Sequence, residues 1–162
     1  MLSIFKVGCM SKNKHTLNGT MMTDLILETF RLNGRLLAAG DKLVKPHGLT
    51  SARWQVLGAI YLAETPQPVA WLARSMGLTR QGVQRIANEL QKDGLVSFEP
   101  NPNHRRASLL ILTDKGSNAY AAADREQTKW VNNLAQGFEI EEIKCAFEIM
   151  KAIRTKLDHV SN

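Results

Sequence analysis

Between positions 79 and 88 the chain sets out Thr79, Arg80, Gln81, Gln84, Arg85 and Asn88. Each of these types has a partner on nucleic acid. Gln and Asn can bond an adenine edge with two hydrogen bonds, Arg can do the same to guanine, and hydroxyls and guanidiniums hold phosphate. At roughly 100° per residue, Val83, Ile86, Ala87 and Leu90 fall on one side of a helix. Gln81, Gln84, Arg85 and Asn88 fall on the other, with Arg80 on the flank. An ordinary solvated helix face uses the same side chains, so the set alone leaves both readings open. A second basic element follows in Asn101-Pro102-Asn103-His104-Arg105-Arg106. Its adjacent guanidiniums suit a narrow minor groove, where the potential is most negative.

The neighbouring pattern supplies the elements that would hold these groups. Val69, Leu72, Ala73 and Met76 step as one face of a short helix, and Gly77-Leu78-Thr79 breaks it. Thr79 can cap the next helix, and Gly94 can end it. The period then changes to two strands, residues 95–99 and 107–112, around the basic loop. A helix-turn-helix followed by strand, basic loop and strand is a winged helix, whose second helix enters the major groove. That order is more specific than either basic cluster alone.

Longer helices flank this lobe. From Asp24, Leu25, Leu32, Leu36 and Leu43 form a stripe with Ile26, Phe30 and Leu37 beside it, and Pro46 and Gly48 mark its stop. Thr50 reads as the cap of a second helix in which Trp54, Leu57 and Tyr61 share a face, closed by Pro66 and Pro68. Thr113 restarts a helix to about Leu134. After Gly137 a last helix carries Ile143, Phe147, Met150, Ile153, Leu157 and Val160 at steps of three or four. Residues 1–23, with Lys6, Lys12, Lys14 and no acid, read as a leader that is disordered or a start-site artefact, with Met21 or Met22 as the alternative start.

The expected fold is mainly α with a small β-hairpin wing. A winged helix-turn-helix lobe occupies residues 50–112, with the wing at about 100–106. Residues 24–46 and 114–160 form a helical dimerisation region, and residues 24–160 make one domain. The terminal stripe is longer than one small lobe needs, which points to a homodimer.

Composition narrows the function. The 162 residues carry 21 Lys and Arg against 15 Asp and Glu, for a net +6. Residues 48–112 hold seven of the bases and four acids, whereas residues 113–162 hold seven bases and eight acids. The basic middle favours an anionic partner, nucleic acid before a membrane surface. No apolar run approaches a bilayer span, and a cytoplasmic location is expected. Cys9 and Cys145 lack CxxC spacing, and His15, His47, His104 and His159 lack ligand spacing, so neither a metal nor another cofactor is expected. A redox sensor needs an accessible thiolate in a basic setting. Cys9 lies in the leader, and Cys145 flanks the last apolar stripe. No nucleophile motif, phosphate loop or carboxylate pair suggests an enzyme. Trp54, Tyr61, Trp71 and Met76 are read as core packing by their spacing, with an effector pocket as the alternative.

From Asp24 to Leu157 the sequence resembles the MarR-type winged-helix transcriptional regulators. The likeness rests on Leu72-Ala73-Arg74-Ser75-Met76-Gly77-Leu78-Thr79 and on Val83 to Leu95. Its most specific part is Asn101-Pro102-Asn103-His104-Arg105-Arg106-Ala107, running on to Leu112-Thr113-Asp114-Lys115-Gly116. The resemblance implies a homodimer on a palindromic operator, with repression relieved by a small, often phenolic or anionic, ligand. It also marks Arg106 as the minor-groove arginine. Asn101 and His104 stand where the family usually has aspartates, the second of which commonly pairs with an arginine to brace the wing.

The sequence therefore reads as a sequence-specific double-stranded DNA-binding regulator, a ligand-responsive repressor acting as a homodimer. The expected DNA-contacting residues are Thr79, Arg80, Gln81, Gln84, Arg85, Asn88, Arg105 and Arg106. The competing class is a winged helix used only for protein contacts, which a neutral or acidic α-helical face would have favoured.

Overall fold

A computed structural model of the chain describes residues 15–104 and 106–160, without the side chain of residue 160. Arg105 and most of the expected leader, residues 1–14, lie outside the described residues.

Helix α1 (Leu17–Val44) begins seven residues before Asp24, so the end of the expected leader is helical. The cap is Thr16, whose Oγ1 accepts from the Gly19 N–H at 3.0 Å. A tight turn, Lys45–His47, contains Pro46, and Gly48 at φ 68° turns the chain into α2 (Ser51–Tyr61). Two caps start α2. Thr50 Oγ1 accepts from Arg53 N, and the Asp41 carboxylate of α1 accepts from Ser51 N at 2.6 Å. This second contact ties the two helices where Gly40 and Ser51 meet.

Strand β1 (Gln67–Pro68) leads into α3 (Val69–Ser75). Helix α4 (Arg80–Lys92) follows, then β2 (Val96–Glu99) and β3 (Leu109–Leu112). The sheet has three strands in the order β1-β3-β2, all antiparallel, so the wing is a hairpin with one added strand. Gln67 pairs with Leu110, and Phe98 pairs with Leu110 from the other side. Of the two prolines expected to close the α2 segment, Pro68 thus lies in a strand and Pro66 directly precedes it. Pro68 supplies no N–H to the ladder, which suits an edge of two residues.

Helix α5 (Asp114–Leu134) starts at the Thr113 cap, and Gly137 at φ 88° separates it from α6 (Ile140–Val160). The core lies inside the winged lobe and against α5. Leu57, Leu72, Val83, Leu90 and Leu110 are fully buried there. The terminal helices contrast with it. In α1 only Gly40 and Val44 are buried, and among the described side chains of α6 only Ile153 is partly covered. No helix of the described residues is long and apolar enough to cross a membrane.

Candidate nucleic-acid interface

Helix α4 is set by local chemistry at both ends. Leu78 N–H bonds to Ala73 O at 2.9 Å, and Gly77 turns at φ 66°, a left-handed conformation that disfavours a side chain. Thr79 Oγ1 then accepts from Gly82 N at 3.1 Å, capping the helix. At the other end Gly94, φ 71°, lets Leu95 N–H reach back to Leu90 O at 2.9 Å.

Two other elements grip that same end. The Arg53 guanidinium of α2 pairs with the Asp93 carboxylate, and Lys115 Nζ donates to Asp93 O at 2.8 Å. Thr113 Oγ1 donates to Gly94 O at 2.7 Å, and Thr113 N–H donates to Leu95 O at 3.1 Å. A Cβ on Gly116 would sit 1.9 Å from Leu95 O, so only glycine allows α5 this close. Helix α4 is therefore held in place by α2 and by the start of α5, not by packing alone.

The outward face matches the expected one with two additions. Val83, Ile86, Ala87 and Leu90 are buried; Arg80, Gln81, Arg85 and Asn88 are exposed, and Gln84 is half-buried. Gln84 Nε2 donates to Asn88 Oδ1 at 2.9 Å. That leaves a Gln84 carbonyl acceptor and an Asn88 amide donor, the complement of an adenine edge. Arg85 pairs with Glu89 at 2.9 Å, an acid beside the reading face that the wheel did not include. Both partners are exposed, and such i,i+4 pairs are worth only ~0.3–0.5 kcal/mol. Arg85 can leave it for a base at little cost. Thr79 spends an oxygen lone pair on its cap, and its hydroxyl proton remains for a phosphate.

The wing loop is braced without an aspartate. Asn101 Oδ1 accepts from Asn103 N at 2.9 Å, His104 N donates to Asn101 O at 3.2 Å, and His104 Nδ1 accepts from Arg106 N at 3.3 Å. Asn101 and His104 thus organise the turn through the backbone. Arg106 is exposed beyond it, and among the described residues its guanidinium has no acidic partner.

A groove of about 320 Å³ runs between α4 and the wing. Arg80, Gln84, Asn88 and Gln91 line it from the helix, and Arg106, Ala107 and Ser108 from the wing. It brings four of the expected residues onto one continuous wall. Thr79, Gln81 and Arg85 lie outside it; Gln81 and Arg85 line an open depression along the outer face of α4 that shares Arg80, Gln84 and Asn88 with the groove. Gln91 was not anticipated, although at i+7 from Gln84 and i+3 from Asn88 it falls on their side of the helix.

A second cavity, about 550 Å³, opens between α2, α3 and α5. Trp54, Trp71 and Met76 line it with Tyr120 and Asp124. The core-packing expectation holds for Trp54 and Met76, which lie against the core. It fails for Trp71, 42% exposed, and for Tyr61, which is outside and stacks on Tyr120 at 4.6 Å. Cys145 is exposed, and no cluster of metal-ligating side chains occurs among the described residues.

Residues 47–107, the span of the helix-turn-helix and wing, match the model of the MarR family. The chain is also 36% identical over 115 residues to the uncharacterized protein Rv2011c of Mycobacterium tuberculosis, covering 71% of this chain and 79% of that one. The chain belongs to the MarR family. Its fold is that of solved MarR members. Sco5413, a MarR family transcriptional regulator from Streptomyces coelicolor, superposes with a TM-score of 0.72 at 25% identity, over 87% of this chain and 98% of that one. The M. tuberculosis transcriptional regulator MosR in complex with DNA gives 0.69 at 21%, over 82% and 96%. CouR from Rhodococcus jostii RHA1, bound to p-coumaroyl-CoA, gives 0.72 at 22%, over 80% and 91%.

Proposed function

We propose that this MarR-family chain is a sequence-specific double-stranded DNA-binding repressor that works as a homodimer and releases its operator on binding a small ligand. The observation that carries the reading is the groove in which Arg80, Gln84 and Asn88 of α4 face Arg106 of the wing. Base-reading amides sit in the middle, with guanidiniums at the helix start and on the wing. This is the order needed to read a major groove while holding the adjacent minor groove. Arg105, beside Arg106 in sequence, adds a second charge to the wing.

Two further features support the finer parts. The apolar faces of α1 and α6 are uncovered: Phe30, Leu36, Ile143, Phe147 and Met150 are all exposed. Each large side chain buried is worth ~1.5–3 kcal/mol, so joining these faces on a second copy stabilises a dimer. Two α4 helices related by that dimer would meet half-sites about one helical turn apart, ~34–36 Å. MosR was solved with DNA, which agrees with this use of the fold.

Ligand response follows from α2. One turn of it carries both Trp54, on the cavity wall, and Arg53, paired with the end of α4. A ligand that moves α2 moves the anchor of the recognition helix, and binding that differs between the two positions shifts DNA affinity. CouR carries its ligand on the same fold.

Selection of bound sequences from random duplexes tests the core of the proposal. An enriched palindrome with two half-sites, and reporter transcription that falls when the protein is present, are expected. Binding of all duplexes alike would refute specific recognition.

A further inference from the structure

The cavity between α2, α3 and α5 has a charge pattern that selects its ligand. Trp54, Leu62, Trp71 and Met76 give it an apolar, aromatic wall. Among the described residues its titratable lining groups are Asp124 and Tyr120, and no Lys, Arg or His lines it. The Asp124 carboxylate receives no hydrogen bond and forms no ion pair among the described residues; Thr128 bonds only to its backbone carbonyl. We infer that this cavity takes a lipophilic cation, an amine carried on an aromatic or alkyl body, and not an anionic effector. The inference rests on the ligand-responsive reading above and names the chemistry of that same site.

The physical argument has three parts. An ammonium in a cavity lined by Trp54 and Trp71 can gain cation–π attraction, strongest for tryptophan. Its N–H groups can bond the unpartnered Asp124 carboxylate, a charge-assisted hydrogen bond. Tyr120 adds to the same bias. Burial first, then the Asp124 charge and Tyr61, raise its phenol above the ordinary value, so it stays neutral and polar and adds no second negative charge near neutral pH. An anion would enter against the Asp124 charge and find no base to replace its lost water. Arg74 and Arg154 line a different cavity of about 370 Å³, together with Asp158, and it shares only Ser75 and Met76 with this one.

Three probes with one naphthalene body separate the contributions: 2-naphthylmethylammonium, 2-naphthalenemethanol and 2-naphthoate. Calorimetric titration of the full chain near neutral pH should rank them amine, alcohol, carboxylate. Asp124→Asn should lower the affinity of the amine about tenfold, a discount on a charged hydrogen bond for a carboxylate that solvent reaches. The alcohol should move by less than about twofold, which also shows that the variant is folded with its cavity intact. If alcohol and amine bind equally and Asp124→Asn changes neither, the cavity is a ligand site and the charge assignment is wrong. Naphthoate binding tightest, with a ratio that Asp124→Asn does not alter, also overturns the assignment. If no probe perturbs tryptophan fluorescence or releases heat, the ligand-responsive reading fails together with this one.

Discussion

Replacing Asp93 with alanine tests whether the recognition helix is held by the α2 anchor. The Arg53 side chain is 16% exposed and that of Asp93 49%, so the two ends of the pair have unequal access to water. Removing Asp93 leaves a largely buried guanidinium with the long contact to Gly48 O at 3.4 Å and an Nε that already has no partner. Breaking a fully buried pair costs ~3–5 kcal/mol, and water reaching the Asp93 side reduces this to about 2 kcal/mol. Arg53→Met leaves a half-exposed carboxylate that hydrates, so about 1 kcal/mol is expected. The double variant should resemble Arg53→Met, a coupling of about 2 kcal/mol, since no buried charge is stranded. Urea unfolding of the four proteins gives this cycle. Operator titration adds a readout of opposite sign. Deleting an acid near DNA should by charge alone strengthen binding, whereas a misplaced helix should weaken Asp93→Ala several-fold. Equal, additive costs below about 0.5 kcal/mol, with tighter DNA binding, would refute the anchor.

Other outcomes follow from single contacts. Gly116→Ala should destabilise by about 3 kcal/mol or more, because the new Cβ would lie 1.9 Å from Leu95 O and 2.9 Å from its carbon, both backbone atoms fixed by the Thr113 bond; a urea midpoint within error of wild type would contradict it. Tyr120 is raised above 10.0 by burial, Asp124 and Tyr61, so the unfolded chain loses this proton first as pH rises. Its stabilising contribution is whole below pH 10 and fades as pH climbs through the raised value, and Tyr120→Phe should remove that part of the alkaline loss in thermal melts. Phe147→Asp, on an exposed apolar face of α6, should give a monomer by sedimentation at micromolar concentration while keeping the helical signal of the winged lobe; an unchanged dimer would place the interface elsewhere.

Caps and periods were the legible part of this fold. Thr50, Thr79 and Thr113 each accept from the N–H three residues on, so their role is written in local sequence; Thr50 and Thr79 cap as expected, and Thr113 caps the helix it was expected to open. The buried stripe Val83, Ile86, Ala87 and Leu90 fixed the rotation of α4 and hence its outward face. The start of α1 was missed because Thr16 precedes Asn18 and Gly19, poor helix formers that α1 nonetheless incorporates. Strand β1 was hidden because its pairing with Leu109 and Leu110 lies some forty residues along the chain, and Pro68 reads locally as a breaker. The Arg53–Asp93 anchor is just as distant. Glu89 and Gln91 were legible on α4 but were passed over, because a wheel sorts faces and says nothing about what the wing brings opposite. The apolar stripes of α1 and α6 were plain from their spacing, and they remain uncovered within a single chain.

The central claim is that α4 reads bases while the wing senses the groove beside them. Its most direct test is the affinity of wild type, Asn88→Ala and Arg106→Ala for every single-base variant of the selected operator, at one fixed salt concentration. Asn88→Ala should lose ~1–3 kcal/mol of discrimination at particular positions in each half-site and little elsewhere. Arg106→Ala should lose more on A/T-rich flanks, where the minor groove is narrow, than on G/C-rich ones. If Asn88→Ala and Arg106→Ala each weaken binding to every sequence by one common factor, α4 and the wing touch only phosphate, and the account is wrong.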